Sequence, residues 1–287
     1  MSAVLALLAA ASFAIGSALQ QRGTLEAPSP EGDPHFLAEI IRRPIWWMGA
    51  TCQAVGWLLQ ALALARGTLV VVQSLCALSL VFALPAGTWL TDQHVDRRAV
   101  AGAVTAFAGI VGFVLVGEPS GGIDHPSARG WLVAIAISVA LMACLAVTAL
   151  RQRGPLSATL FATAAGICFG VQAALTKEWV SDLGEGLGHV LSTWTTYALI
   201  VSALGGFALQ QSALKTGFLA PAMAASNTAT LIASVVLGIV LFEEVLDGAA
   251  LHPALTLASL TAGVVGVIIL AAPSAAAQTA GDERPAP

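Results

Sequence analysis

The chain has 287 residues, of which 57% are hydrophobic and 10% are charged, with a formal net charge of −4. A soluble domain carries roughly 25% charged residues, so this composition excludes a water-soluble globular protein and indicates a polytopic membrane protein in a lipid bilayer. At about 20 residues per crossing, the length accommodates roughly nine spanning helices. No nucleic-acid partner and no cofactor are expected.

Nine apolar segments follow one another along the chain, each bounded by charges or by Pro and Gly turns. They cover residues 2–20, 45–65, 68–91, 98–117, 130–150, 155–176, 189–211, 217–242 and 251–272. The first has no basic residues before it and is followed by Arg22, which favours a spanning helix over a signal peptide. The loop 21–44 is predicted to hold a short interfacial helix, FLAEIIRR. The tail 273–287 is predicted to be disordered.

Nine spans place the positive charges unequally on the two sides of the membrane. One side carries Arg22, Arg42, Arg43, Arg97, Arg98, Arg151, Arg153, Lys215 and Arg284, and the other carries Arg66, Arg129 and Lys177. Cytoplasmic loops are enriched in Lys and Arg. We therefore predict a multi-pass cell-membrane protein whose N-terminus lies outside and whose C-terminus lies in the cytoplasm.

All acidic residues and histidines fall in loops or at helix ends, so no span centre is expected to carry an ionisable group. Proton coupling normally uses such a group, and its absence favours uniport or exchange. Asp92 ends the third span, and Glu243 and Glu244 end the eighth. A carboxylate at a helix C-terminus opposes the helix dipole, so partners are expected. A structural salt bridge and an external gate both remain open for these residues.

Two phrases of the sequence recur in the second half of the chain. LLQALALARG (58–67) matches ALQQSALKTG (208–217), and AGIVGFVLVGEP (108–119) matches AGVVGVIILAAP (262–273). We interpret 1–120 as a first repeat, 130–150 as a connector helix and 155–272 as a second repeat. Corresponding helices lie five spans apart, an odd number, so the two four-helix repeats are predicted to have inverted topology. Such repeats are typical of alternating-access transporters.

Polar side chains inside the spans are the candidates for a substrate cavity. They are Gln53, Gln60, Gln73, Gln172, Gln210, Asn227 and Thr228. Buried amides need partners in a bilayer, so they face the bundle interior, where they either line water or join neighbouring helices. Pro85 and Pro221 lie inside the third and eighth spans and are candidate helix hinges, with a static kink as the alternative.

Tryptophans occur mostly near the predicted ends of spans. Trp46, Trp47, Trp89, Trp131 and Trp179 are therefore predicted to be anchors in the interfacial aromatic belt. Trp57 and Trp194 lie deeper in their spans. Trp57 either stacks on a substrate or faces lipid.

Several phrases, in order and spacing, resemble the drug/metabolite transporter superfamily, and most closely its NIPA-like branch, described as magnesium transporters. They are AIGSALQQRG (14–23), WWMG (46–49), GWLLQALALA (56–65), TLVVVQSLCALSLVFALPAGTWLTD (68–92), GFLAPA (217–222) and LFEE (241–244). The resemblance covers nearly the whole chain. It implies an EamA-like fold of inverted repeats and a transport function.

The chain departs from that branch at the positions that bear on the substrate. The branch has a glutamate three residues before an asparagine in the second helix, where this chain has Trp57 and Gln60. It has Thr-Pro where this chain has Gln73 and Ser74. Mg²⁺ prefers oxygen ligands that include carboxylates. We therefore predict a transporter of a small polar or amphipathic solute, with a Mg²⁺ transporter as the alternative.

Two other classes of function find little support in the sequence. An intramembrane enzyme needs a nucleophile with a base, or a metal site, at membrane depth, and the chain has no H-E-x-x-H motif or paired carboxylates in a span. A receptor needs a ligand-binding region larger than these loops. The expected partners are therefore a small-molecule or ion substrate and the bilayer, and a homodimer is compatible with the sequence.

Overall fold

The structure is a computed structural model that describes residues 1–25, 42–91, 97–184, 186–214, 219–248 and 252–271. Asp92, the tail 273–287 and most of the loop 21–44, with its predicted interfacial helix, lie outside the described residues. Nearly all of the described chain is helical. This confirms the prediction of an all-α polytopic membrane protein.

Eleven helices and two short strands make up the described part of the chain. They are α1 (Ser2–Leu25), α2 (Pro44–Leu64), α3 (Leu69–Cys76), α4 (Ser79–Thr91), α5 (Arg97–Gly117), β1 (Pro119–Gly121), α6 (Ala128–Arg151), α7 (Pro155–Leu183), α8 (Leu187–Ser192), α9 (Trp194–Leu214), α10 (Leu219–Val240), β2 (Glu244–Leu246) and α11 (Pro253–Ala271).

Every predicted apolar segment contains a helix, but the helices differ in length and in mean hydropathy, which decide whether a helix can cross a bilayer. Within the described ranges six are both long and apolar enough: Ser2–Gln20, Leu69–Ala86, Val100–Gly117, Ala128–Arg151, Leu156–Leu183 and Ala222–Val240. The apolar stretch of α11 is shorter, at Pro253–Ile269. The other two long helices, α2 and α9, each carry two glutamines and at least one tryptophan, which lower their mean hydropathy. Nine crossings therefore stay a prediction.

The predicted third span is divided in two, and the division does not fall at its proline. Thr68 caps the start of α3 with its hydroxyl, which accepts a hydrogen bond from Val71 N–H at 3.3 Å. The helix breaks at Ala77 and Leu78, where Leu78 N–H bonds to Leu75 O in a tighter turn. Pro85 lies within α4 without ending it. Pro221 lies in the first described turn of α10.

Glycines allow close packing within each half of the molecule, and one aromatic contact occurs in both halves. The Phe13 ring of α1 lies against Gly56 of α2, where an added Cβ would meet it at 2.7 Å. The Phe169 ring of α7 lies against Gly206 of α9 at the same distance. Gly56 and Gly206 have the same separation along the chain as Gln60 and Gln210. The two glycines each lie two residues before one of the matching phrases, and both pack against a phenylalanine ring.

The second pair of matching phrases packs directly on itself. A Cβ at Gly109 of α5 would lie 2.1 Å from Gly263 N of α11, and one at Gly266 would lie 2.1 Å from Ala106 N. A Cβ at Gly112 would lie 3.1 Å from Ser259 Oγ. The partner numbers fall as the α5 numbers rise, so the two helices are antiparallel. Gly109 also meets the residue that corresponds to it in the sequence alignment of the repeats.

Four connections meet at one end of the helix bundle, namely those between α2 and α3, α5 and α6, α7 and α9, and α10 and α11. β1 and β2 come from two of them and pair antiparallel, with Pro119 opposite Leu246 and Gly121 opposite Glu244. Ile123 N–H donates to Phe242 O at 2.8 Å beside this pair. An alternating up-and-down course of nine helices brings the same four connections to one side.

The contact between α5 and α11 generates the first prediction. Gly109→Ala should destabilise the protein by about 1–3 kcal/mol, because two backbones must separate to admit the methyl group. Thermal unfolding of the detergent-solubilised protein measures this. Gly205→Ala is the matched control, since its Cβ would meet nothing closer than Cys168 Sγ at 3.9 Å. Equal melting temperatures for the two variants would contradict the packing described.

Candidate functional site

A buried ion pair joins two elements at the end of the bundle where the four connections meet. Lys177 Nζ near the end of α7 lies 2.6 Å from Glu244 Oε1 at the start of β2. Lys177 is 4% exposed and Glu244 is 2% exposed. The ammonium group also lies over the ring of Phe242, 4.6 Å from its centroid. A buried charge is tolerated only with partners of this kind.

The same carboxylate binds the start of a helix in the first half of the chain. Glu244 Oε1 accepts a hydrogen bond from Leu69 N–H at 2.5 Å, and Oε2 accepts one from Val70 N–H at 2.9 Å. The first N–H groups of a helix have no partner within the helix and carry its positive dipole end, so they favour an anion. Glu244 therefore ties α3 to α7, and one half of the chain to the other.

Local backbone geometry brings Glu244 to this position. Glu243 has a φ of +55°, which turns the chain sharply after α10. Gly122 has a φ of +100°, and a Cβ there would lie 2.9 Å from Glu244 Cγ. A Cβ at Gly238 would lie 2.7 Å from Glu244 Oε2. Glycine at these two places leaves room for the carboxylate.

The bounds of α7 correct the prediction that the sixth span ends at residue 176 and that Lys177 lies in a loop. Helix α7 continues to Leu183 instead of ending at residue 176, so Lys177, Glu178 and Asp182 are helical and buried. The physical reason is that Glu244 compensates the charge of Lys177, while the α3 N-terminus in turn binds Glu244. No Pro or Gly lies between Gln172 and Gly184, and this uninterrupted run was the available signal. The expectation that Glu244 has a partner is confirmed.

Two further carboxylates are buried on the last turns of α7. Glu178 is 7% exposed and Asp182 is 6% exposed. Asp182 Oδ2 accepts a hydrogen bond from Thr195 Oγ1 at 3.0 Å, and Asp182 Oδ1 lies 3.5 Å from His125 Nδ1. The imidazole is half exposed and links this pair of carboxylates to solvent.

Tryptophans pack around this end of the bundle, and one of them contradicts its predicted role. Trp131 is 3% exposed and packs edge-on against Trp194 and Phe242, at ring distances of 5.2 and 6.2 Å. It is a core residue and not a belt anchor, because the rings of α9 and the α10–β2 turn cover it. Trp47 and Trp89 are exposed, as an interfacial role requires.

The seven predicted cavity residues lie in several places. Gln53 donates from Nε2 to Ser17 Oγ at 3.0 Å and so joins α2 to α1. Gln73 of α3 is 5% exposed, and its Nε2 has no hydrogen-bond partner among the described residues. Gln60 and Gln172 are half-buried. Buried amides without protein partners, such as that of Gln73, are free to bind a solute or water.

Two of the amides come together around a methionine between α9 and α10. Gln210 Nε2 lies 3.7 Å from Met223 Sδ, and its Oε1 has no partner in the described part of the chain. Asn227 Nδ2 donates to Met223 O at 2.8 Å. Gln210 of α9 and Asn227 of α10 thus contact the same residue, Met223.

A cavity of about 1040 Å³ lies between α6, α7 and α10. Its walls are mainly aliphatic, with hydroxyls from Ser138, Thr163 and Thr228 and with Arg129 at one end. Of the seven predicted cavity residues, Thr228 lines it and the amides do not. Only 6% of the α6 span is buried inside the protein, so α6 forms an outer wall.

Comparison with known proteins gives one relative of similar length. The chain is 27% identical over 248 residues to an uncharacterized protein of Corynebacterium glutamicum, and the match covers 85% of each chain. No family model matches the chain. No solved structure matches it.

The ion pair generates the second prediction. Glu244→Gln should destabilise the protein by about 3–5 kcal/mol, because Lys177 is left buried without a counter-charge. Lys177→Met should cost less, since the carboxylate keeps two backbone N–H donors. Unfolding in detergent measures the stability of both single variants and of the double variant. The double variant should lose less free energy of unfolding than Glu244→Gln alone. The exposed Glu118→Gln is the control, and additive single losses would refute the pairing.

Proposed function

We propose that the protein is a secondary transporter that moves a small polar or amphipathic solute by alternating access between two inverted four-helix repeats. The observation that carries this proposal is the antiparallel packing of AGIVG on AGVVG, with Gly109 against its counterpart Gly263. A residue that touches its own equivalent lies on a pseudo-twofold axis between the halves. The repeated contacts of Phe13 with Gly56 and of Phe169 with Gly206 support the same relation.

The ion pair supplies one closed end of the proposed pathway. Glu244 connects α3 of the first half with α7 of the second, so this end opens only if the carboxylate leaves Lys177 or the α3 N-terminus. In the predicted orientation this end faces outside the cell. Three positive residues are assigned to that side. Lys177 is buried, and Arg66 and Arg129 are exposed. The excess of exposed positive charge on the cytoplasmic side is therefore greater than the sequence count indicates.

The solute class follows from the groups that lack protein partners. Gln73 Nε2 and Gln210 Oε1 are neutral and buried, and they suit a solute with hydrogen-bonding groups. The cavity of about 1040 Å³ beside α10 is mainly aliphatic with scattered hydroxyls, which suits an amphipathic molecule. Membership of the drug/metabolite transporter superfamily, in the NIPA-like branch, belongs to the same proposal.

A Mg²⁺ transporter is the second candidate, and the buried carboxylates Glu178 and Asp182 favour it. Mg²⁺ is often held by one or two carboxylates together with water. No group of three or more His, Cys, Asp or Glu side chains among the described residues is placed to hold a metal ion. A transported Mg²⁺ would therefore keep most of its water, with amide oxygens such as that of Gln60 as additional ligands.

Inverted repeats predict opposite sides of the membrane for two cationic residues at corresponding positions. Single cysteines at Arg66 and at Lys215 should react with a membrane-impermeant maleimide from opposite sides of intact cells. Permeabilised cells provide the control for reactivity. Modification of both from the same side would refute the inverted arrangement.

Transport itself is tested in proteoliposomes with radiolabelled amides, polyols and amphipathic amines, and with Mg²⁺ and an entrapped dye. We expect counterflow of an organic solute, reduced at least about tenfold in Gln73→Leu. That variant should fold at least as stably as the parent, because it removes a buried amide without a partner. The exposed Gln152→Leu is the matched control. Mg²⁺ flux that depends on Gln60, without organic counterflow, would favour the alternative.

A further inference from the structure

The two carboxylates on the last turns of α7 have different surroundings. Glu178 and Asp182 lie four residues apart, on one face of the helix. Asp182 has Thr195 and His125 as partners. Glu178 Oε2 is buried and has no hydrogen-bond partner among the described residues. The two residues are therefore similar in burial but not in charge compensation.

A second unpartnered group faces Glu178 from another helix. The indole N–H of Trp131 in α6 is directed toward Glu178, yet it makes no hydrogen bond of ordinary geometry. The charged groups that act on Glu178 are Asp182 and His125. Lys177 is occupied by Glu244. A buried donor and a buried acceptor thus face each other there without a well-formed hydrogen bond.

An uncompensated carboxylate in a buried site is costly, and it becomes neutral by taking up a proton. We propose that Glu178 is a proton-binding site of this protein, reached from solvent through His125 and Asp182. The half-exposed imidazole of His125 takes up a proton from a buffer acid and gives the proton on its Nδ1 to the carboxylate of Asp182. Asp182 then passes a proton to Glu178, one turn away on α7. No electron is transferred, and the neutral acid is the product.

This proposal rests on the proposed alternating access and assigns it a coupling ion. Phe242 packs against both Lys177 and Trp131, so an opening that carries the turn after α10 away from Lys177 also uncovers Trp131 and brings water to Glu178. Water favours the carboxylate, and closing favours the acid. By linkage, proton binding stabilises the closed end, and opening releases the proton on that side.

The test uses the full chain in detergent, without any solute, and infrared spectroscopy at pH 6. Exposed glutamates are ionised at this pH, since their ordinary pKa is about 4.3. We expect the C=O band of a protonated carboxyl group in the parent and in the exposed control Glu118→Gln, and its loss in Glu178→Gln. Glu178→Gln resembles the neutral acid, so its melting temperature at pH 6 should equal that of the parent.

Three results would overturn the proposal. The first is a parent spectrum without the C=O band, and the second is a C=O band that persists in Glu178→Gln. The third is a carboxylate band that shifts on addition of Mg²⁺ in the parent but does not shift in Glu178→Gln. The last would identify a cation site at Glu178 instead. Because the measurement requires no transport, its failure leaves the transport assay unaffected, and a failed transport assay leaves the proton site standing.

Discussion

A buried ammonium group in a membrane helix is stable only if a carboxylate reaches it, and here that carboxylate arrives from a distant part of the chain. Glu244 lies 2.6 Å from Lys177 and also binds the first N–H groups of α3. Both charges are almost fully removed from water. The turn after α10, the length of α7 and the start of α3 are therefore mutually dependent. Glu244, in the turn after α10, is the partner of both Lys177 and the first N–H groups of α3.

The length of α7 follows from this dependence. A helix of 29 residues extends about 44 Å at 1.5 Å per residue, whereas the hydrocarbon core is about 30 Å thick. The helix is therefore longer than the core, and it either tilts or extends beyond the core at one or both ends. The buried Glu178 and Asp182 lie near its C-terminal end, where Asp182 bonds to Thr195. Trp131 packs beside these buried polar groups, and Trp194 packs against Trp131.

Much of the architecture could be predicted from the sequence because a bilayer restricts the choices. Apolar segments must become helices, and a glycine pair such as Gly109 and Gly263 in matching phrases indicates close packing. The sequence predicts that α7 ends before Lys177, because a lysine ordinarily marks the end of a membrane span. The partner of Lys177, Glu244, lies 67 residues away in the sequence. The sequence predicts Trp131 in the interfacial aromatic belt because it lies near the end of a span. The residues that bury it, Trp194 and Phe242, are distant in the sequence.

The surroundings of the polar side chains could not be predicted, because they depend on how each helix is rotated about its axis. Gln53 and Gln73 look alike in the sequence, yet Gln53 Nε2 bonds to a serine and Gln73 Nε2 has no hydrogen-bond partner among the described residues. Composition identifies the candidates, and only packing separates a structural amide from one left open for a solute.

The ion pair between Lys177 and Glu244 also has an electrical consequence. Moving one elementary charge through the membrane potential involves about 2.3 kcal/mol per 100 mV. The pair carries one positive and one negative charge, so a movement that carries both together transfers no net charge across the field. The membrane potential therefore exerts no net force on the pair as a unit, whereas a movement that separates Lys177 from Glu244 along the membrane normal would respond to it.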